Sequence, residues 1–442
     1  MASRPLSNFD TYFHLRFGHE FLNGWSLRHP GSVSTFATAD WVPTQWLPEV
    51  VMAQTEDWFG LAGVAWLSGL QLCTLALVLY WSARRWADPL AASVVVVVAL
   101  IASGSGLSMR PQVISYILVA LTVGAWIRAR ETGRVPWFLI PVTWIWAMSH
   151  GMWPIGILTG LLAVAGLRCD GLVRGRELGR HLAVPVLAAV AAALTPVGPG
   201  LYPAVLLVTS RAQYFSEWGP PDFTSPNGLA LVLLIAVAAA HMFKRGANEW
   251  FDILMLLMVG GWAVYSSRTV PVAAAMVAPF AARALQAAIG PMQPADVRER
   301  LLLWSGYSVA LLSLAVIVPH TADEPPAQPA WVTSSLAQIP SNTPVLNDMS
   351  AGGYLMWRFP QLDLMLHGYG DTFTTSELDR AVDMLTLEPG WDTTLRESDA
   401  RFAVLDPATP LAYALEHEEG WEVVHESDSI ELLEPPPGWF DQ

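Results

Sequence analysis

Asp10 and His14 stand four residues apart in the run SNFDTYFHLRFGHEFLNG. On a helix that spacing puts both side chains on one face, where a carboxylate beside an imidazole could act as a general base or as a ligand for a divalent metal. An aspartate in that place could equally cap a helix of interfacial aromatics. Two more acids, Asp40 and Glu49, follow in TADWVPTQWLPEV.

A second set lies at the ends of apolar stretches: Arg110 with Pro111 and Gln112, Trp146 with His150 and Gly151, and Tyr265 with Arg268. Ionisable groups near membrane depth are costly and usually face a cavity or a partner. Arginine offers a planar donor fork that suits a phosphate or a carboxylate; the plainer explanation is snorkelling at a helix end. Glu217 and Trp218, in QYFSEWGPPDF, read as a rigid turn with an interfacial tryptophan. In the tail, Gly352 and Gly353 precede Tyr354, Trp357 and Arg358. They predict either a turn that presents aromatics to a sugar ring or a glycine turn that leads into a core helix or strand.

The elements that must position these residues are mostly membrane spans. Of 442 residues, 53% are hydrophobic and only 14% charged, with 21 tryptophans, a composition that must meet lipid or other helices. Ten apolar runs read as spans: 61–82, 90–107, 111–127, 136–149, 152–167, 182–196, 228–243, 251–267, 269–287 and 302–319. Residues 1–58 are polar and aromatic and predict a loop or a surface-lying helix. Basic residues such as Arg84, Arg85, Arg130, Arg245 and Arg283 collect in alternate loops. By the positive-inside bias those loops are cytoplasmic, and both the first 58 residues and the tail are extracytoplasmic. Export of so polar a first segment calls for a span upstream of residue 1, or for threading after insertion. Residues 1–30 lack the pattern of a signal peptide.

After a Pro-rich linker at 321–330 the character changes. Residues 321–442 carry 22 Asp/Glu against four Arg, so nucleic acid and anionic lipid headgroups are poor partners for this part. TPVLND, LDLMLHG, ARFAVLD, WEVVHE and SIELLE read as short strands, while SSLAQI and SELDRAVDMLTL have helical spacing. The expectation is a small, soluble α/β domain over 331–442. Cys73 and Cys169 are not placed for a disulfide framework. The chain has no phosphate-binding Gly-Lys-Ser/Thr loop, HExxH, paired CxxC or GxSxG, which removes sequence support for ATP-driven transport, zinc proteolysis and serine hydrolysis.

In order along the chain, several short motifs resemble bacterial polytopic proteins related to the C-type (GT-C) glycosyltransferases, which use polyprenyl-phosphate sugars. They are Asp10 with His14 and Gly18, Thr35, Asp40-Trp41, Trp46-Leu47 to Glu49, Arg110-Pro111, WAMSHG, TPVGPGLY, SEW, SSRTVP, NDMSAGGYLMW and HGYGD. Ser149 and His367 depart from the residues more usual there. The resemblance implies an α-helical polytopic membrane protein of about ten transmembrane helices with an extracytoplasmic α/β domain. It implies an inverting glycosyltransferase of the plasma membrane and cell envelope, acting on its outer face with a polyprenyl-phosphate-linked sugar and membrane lipid as partners. Asp10, helped by His14, would be the base or a metal ligand, and Arg110, His150 and Arg268 would hold the donor phosphate. Asp40, Glu49, Glu217, Trp218, Tyr354 and Trp357 would contact acceptor or sugar. The alternative is a non-catalytic scaffold or carrier-lipid binder of the same architecture, whose soluble domain recruits a partner.

Overall fold

In the computed structural model the described residues are 6, 8–246, 249–293, 296–322, 324, 325 and 327–441. Residues 323 and 326 of the expected linker, and 1–5 and 7 of the first segment, lie outside them. The chain runs through α1 (Asp10–Leu22), α2 (Trp46–Ala83), α3 (Pro89–Ala102), α4 (Gln112–Thr132), α5 (Leu139–Ser149) and α6 (Pro154–Cys169). It continues through α7 (Gly175–Ala193), α8 (Leu201–Ser210), α9 (Pro226–Arg245), α10 (Trp250–Tyr265), α11 (Val270–Ile289) and α12 (Val297–Ile317). Then come α13 (Ala330–Leu336), β1 (Thr343–Asn347), α14 (Met349–Arg358), β2 (Leu362–Leu364), α15 (Thr375–Leu385) and α16 (Trp391–Glu397). The last elements are β3 (Phe402–Leu405), α17 (Pro410–His417), β4 (Glu422–Glu426) and β5 (Glu431–Glu434).

These elements form two compact units. A helical unit holds Ala62–Leu206 and Phe215–Asp323, and a mixed unit holds Leu6–Leu61, Leu207–Tyr214 and Glu324–Gln442. The boundary within α2 falls at a break in the helix: Gly60 has φ 64° and ψ −166°, a conformation open essentially to glycine alone.

All ten apolar runs are helical in the helical unit. Among the described residues five helical stretches are long and apolar enough to cross a membrane: Trp46–Ala83, Gln112–Thr132, Pro226–Arg245, Ser267–Ile289 and Val297–His320. α3, α5, α6 and α10 are apolar but shorter, and α7 starts earlier than the run at 182–196 because charged Arg176, Glu177 and Arg180 occupy its first turns. α11 is buried along most of its length. α12 has no buried residue; it leans on α2 through Trp66, whose indole N–H donates to the Leu311 carbonyl at 3.1 Å. Exposed Leu90, Leu229, Leu257 and Leu312 leave an apolar outer surface, as lipid-facing helices require.

The two ends of this bundle differ in chemistry. At the C-terminal end of α4, Arg130 donates to Asp252 at 2.7 Å, and Arg283 of α11 donates to the same carboxylate at 2.9 Å. These were among the bases assigned to the cytoplasmic loops. Arg110 precedes the other end of α4, about 30 Å away at 1.5 Å rise per residue.

In the mixed unit all five strand-like runs are strands, in one sheet of order β2-β1-β3-β5-β4. β1 pairs parallel with β2 and β3; β5 pairs antiparallel with β3 and β4. Leu346, Leu366, Phe373, Leu378, Ala403 and Leu433 build the core between sheet and helices. The β1–α14–β2 crossover places the residues after β1 and β2 at the carboxyl end of the parallel strands, where open α/β sheets present ligand sites. Gly352 and Gly353, expected at a turn, lie inside α14. A Cβ on Gly352 would sit 2.2 Å from the Leu366 carbonyl oxygen, and one on Gly353 2.5 Å from that of Phe9. Close approach of backbone, not turn geometry, is what demands glycine there.

Candidate functional site

The mixed unit gathers Asp10, His14 and Glu49 around one loop, His367–Asp371. The sequence at the end of β1 fixes that loop. Asn347 donates its side-chain amide to the Leu366 carbonyl at 2.7 Å and accepts from the Leu366 N–H at 3.1 Å, while Asp348 caps α14 by accepting from the Ala351 N–H at 2.9 Å. At Gly368 the loop lies against α1: a Cβ there would stand 2.7 Å from the Phe13 ring and 2.9 Å from Asp10 Oδ1. Arg211, 4% exposed, donates to the Gly370 carbonyl at 2.9 Å. The first segment is tied to the same region by Ser34, which donates to the Leu364 carbonyl at 2.7 Å, and by the Ala39 N–H, which donates to the Thr372 carbonyl at 3.1 Å.

Asp10 is the first residue of α1 and half-buried; Phe9 is the N-cap and offers no side-chain cap. Its own N–H donates to the Asn8 side chain at 2.8 Å. His14, one turn on, is 3% exposed, and its Nδ1 lies 2.9 Å from Oε1 of Glu49, which is 0% exposed. Burial pushes the Glu49 carboxyl well above the usual carboxylate range; Tyr369 beside it draws it down and Asp371 raises it. Burial likewise pushes the His367 imidazole down to about 3. Phe17 and Trp41 pack on Tyr369, with ring centroids at 4.6 and 5.3 Å. These rings close an aromatic chamber behind Asp10, and Glu49, expected at the acceptor or sugar, lies inside it at 0% exposure.

Tyr354 was also expected at the acceptor or sugar. It is buried, in edge contact with Tyr12 at 5.6 Å, and Trp357 is half-buried with its indole N–H donating to Glu56 at 2.9 Å. Both aromatics hold α14 to α1. Asp40 stays exposed on the loop between α1 and α2. Among the described residues no group of three or more His, Cys, Asp or Glu side chains is placed to hold a metal ion.

The helical unit gathers the second set. Glu217, on the 3-10 turn Ser216–Trp218, accepts from Arg110 at 2.9 Å with one oxygen and from Arg268 at 2.5 Å with the other. The Arg268 guanidinium stands over the Trp218 ring at 5.2 Å, and its Nη2 lies 3.4 Å from His150 Nε2. Ser266 and Thr269 form a capping box that aims Arg268. Burial would raise the Glu217 carboxyl, but Arg268 and Arg110 outweigh it and hold the group below its ordinary value. Burial, and then the same two arginines, push His150 well below the usual imidazole range. The ring is therefore neutral at pH 7, and two guanidiniums supply the positive charge. Glu217 and Trp218, assigned to acceptor or sugar, thus join the arginine cluster.

No family model matches the chain, and no curated protein matches it in sequence. Solved structures do match. The oligosaccharyltransferase AglB from Archaeoglobus fulgidus, solved in complex with an inhibitory peptide and a dolichol-phosphate, superposes with TM-score 0.54 at 11% identity over 98% of this chain and 71% of that one. ArnT from Cupriavidus metallidurans bound to undecaprenyl phosphate gives 0.53 at 16% identity, over 99% of this chain and 95% of that one. The apo state of the same ArnT gives 0.53 at 17% identity. The chain has the fold of the C-type glycosyltransferases. It is a polytopic helical membrane protein with a small C-terminal α/β domain. It spans 66% of the length of the apo A. fulgidus oligosaccharyltransferase and nearly all of ArnT.

Within this fold, sequence reasoning missed Ser115, Trp146 as a donor, and Arg211. Ser115 carries no motif of its own.

Proposed function

We propose that the protein is a membrane glycosyltransferase that moves a sugar from a polyprenyl-phosphate donor to an acceptor hydroxyl at the outer face of the plasma membrane. The observation that carries this reading is the cluster of Arg110, Arg268 and neutral His150 around Glu217, in a fold shared with two transferases solved with a polyprenyl phosphate bound. The acceptor oxygen forms a bond to the anomeric carbon as the bond from that carbon to the phosphate oxygen breaks, and the carrier phosphate leaves with the electron pair. Asp10 takes the acceptor's proton, which sharpens a weak nucleophile. Arg268, Arg110 and the His150 N–H hold the phosphate and offset the charge it gains, where fixed donors contribute most. His14 and Glu49 are buried and support α1 beneath Asp10. No step is assigned to a metal.

The test is binding of undecaprenyl phosphate to the purified protein in nanodiscs. Saturable binding that weakens at least tenfold in Arg268→Ala supports the reading, since one charge-assisted contact is worth about 1.5–3 kcal/mol. Equal binding by Arg268→Ala and wild type contradicts it.

A further inference from the structure

His150 has two ring nitrogens, and which one carries the proton decides what it can hold. On the Nδ1 side two donors converge. The Met152 backbone N–H points at Nδ1 from 3.4 Å, and the Ser115 hydroxyl lies 2.9 Å from the same atom. Ser115 Oγ in turn accepts from the Trp146 indole N–H at 2.7 Å. An indole nitrogen can only donate, so it occupies one lone pair of the serine oxygen and leaves the single hydroxyl proton free to point at Nδ1, the same atom that the Met152 N–H addresses. All three side chains are buried: Ser115 and Trp146 at 0% and His150 at 3% exposure.

Run in this direction, the Trp146–Ser115–His150 chain leaves the ring proton on Nε2. That N–H then stands 3.4 Å from Arg268 Nη2, which is also a donor. Two donors at that separation do not bond to each other; they are satisfied by a common acceptor.

We propose that Ser115 and Trp146 are positioning residues that fix His150 as the Nε2–H tautomer, so that it and Arg268 together grip one anionic oxygen. This deepens the phosphate role proposed above and rests on it for the ligand, though not for the tautomer. It also separates this histidine from a general acid: the relay keeps it neutral and fixed, a donor that does not change charge between substrate and product.

The test uses full-length protein in nanodiscs with ¹⁵N-labelled histidine, His150 being assigned by its loss in His150→Gln. The expected wild-type spectrum has an unprotonated Nδ1 and a protonated Nε2. In Ser115→Ala the two tautomers exchange, and undecaprenyl phosphate binds about tenfold more weakly, as for one lost hydrogen bond to an ionised group. In transfer assays the KM for the donor rises more than kcat falls. Trp146→Phe, which removes the N–H together with part of the buried ring system, moves the tautomer in the same direction. A protonated Nδ1 in wild type, or a tautomer unmoved by Ser115→Ala, overturns the inference. If undecaprenyl phosphate fails to bind wild type while the tautomer is as stated, the relay stands and the donor reading of the site falls.

Discussion

His14 and Glu49, 35 residues apart in the chain, meet as a 2.9 Å hydrogen-bonded pair that joins α1 to the first arm of α2. Neither side chain reaches solvent to any useful extent. Burial is the larger influence on the Glu49 carboxyl, and Tyr369 beside it only partly offsets the upward push. Because Glu49 has a raised value in the fold, the folded state binds more protons than the unfolded chain over the pH range between the two values. Its contribution is fully present below the unfolded value and is lost as pH rises through the folded one. Thermal unfolding across that range should show stability falling with pH, and Glu49→Gln, which is neutral at every pH, should flatten the slope. Glu49→Ala should cost about 1–3 kcal/mol by leaving a buried imidazole nitrogen without its partner.

Gly18 sits where α1 crosses that arm. A Cβ on it would stand 2.1 Å from the Glu49 carbonyl oxygen. A glycine-to-alanine change inside a helix ordinarily gains about 1 kcal/mol; here the clash is with backbone, and Gly18→Ala should instead destabilise by about 1–3 kcal/mol, the size of a forced core misfit. Chemical denaturation of the purified protein reads the sign directly.

Glu217 accepts from both Arg110 and Arg268. Replacing it with Gln takes from Arg268 the one carboxylate that reaches it among the described residues. The pair is neither fully buried nor exposed, so the cost should be about 2 kcal/mol, between the values for surface and buried pairs. The Glu217 carboxyl is held low, so its contribution is present above the unfolded value and is lost as pH falls through the folded one. Wild type should lose stability on acidification over that range more than Glu217→Gln does.

Much of the fold was legible because hydrophobicity is a local signal. Every apolar run is a helix and every alternating run of the tail is a strand. Two helices of the tail were missed, α16 (WDTTLRE) and α17 (PLAYALEH), which are short and mostly polar; the Thr409 cap and Pro410 at the first position were the available sign of α17. The helix expected around SSLAQI starts at Ala330, earlier than its apolar spacing suggested. The site was legible only in part. Asp10 with His14, and Arg110 with His150 and Arg268, were named from residue type and position at span ends. Burial was not readable: Glu49 and Tyr354 look like surface polar and aromatic residues until α1 and α14 are seen packed together. Nor was Ser115, because a single serine in an apolar helix has meaning only once Trp146 and His150 are placed against it.

The most direct test of the account is transfer of radiolabelled sugar from polyprenyl-phosphate donors by the purified protein in nanodiscs, with wild type, Asp10→Asn and Arg268→Ala compared. The account predicts transfer by wild type, loss of at least a hundredfold in kcat for Asp10→Asn with folding intact, as expected when a general base is removed, and a raised KM for the donor in Arg268→Ala. Undiminished turnover in Asp10→Asn, or no transfer from any donor by a wild-type protein that binds the carrier tightly, would contradict it.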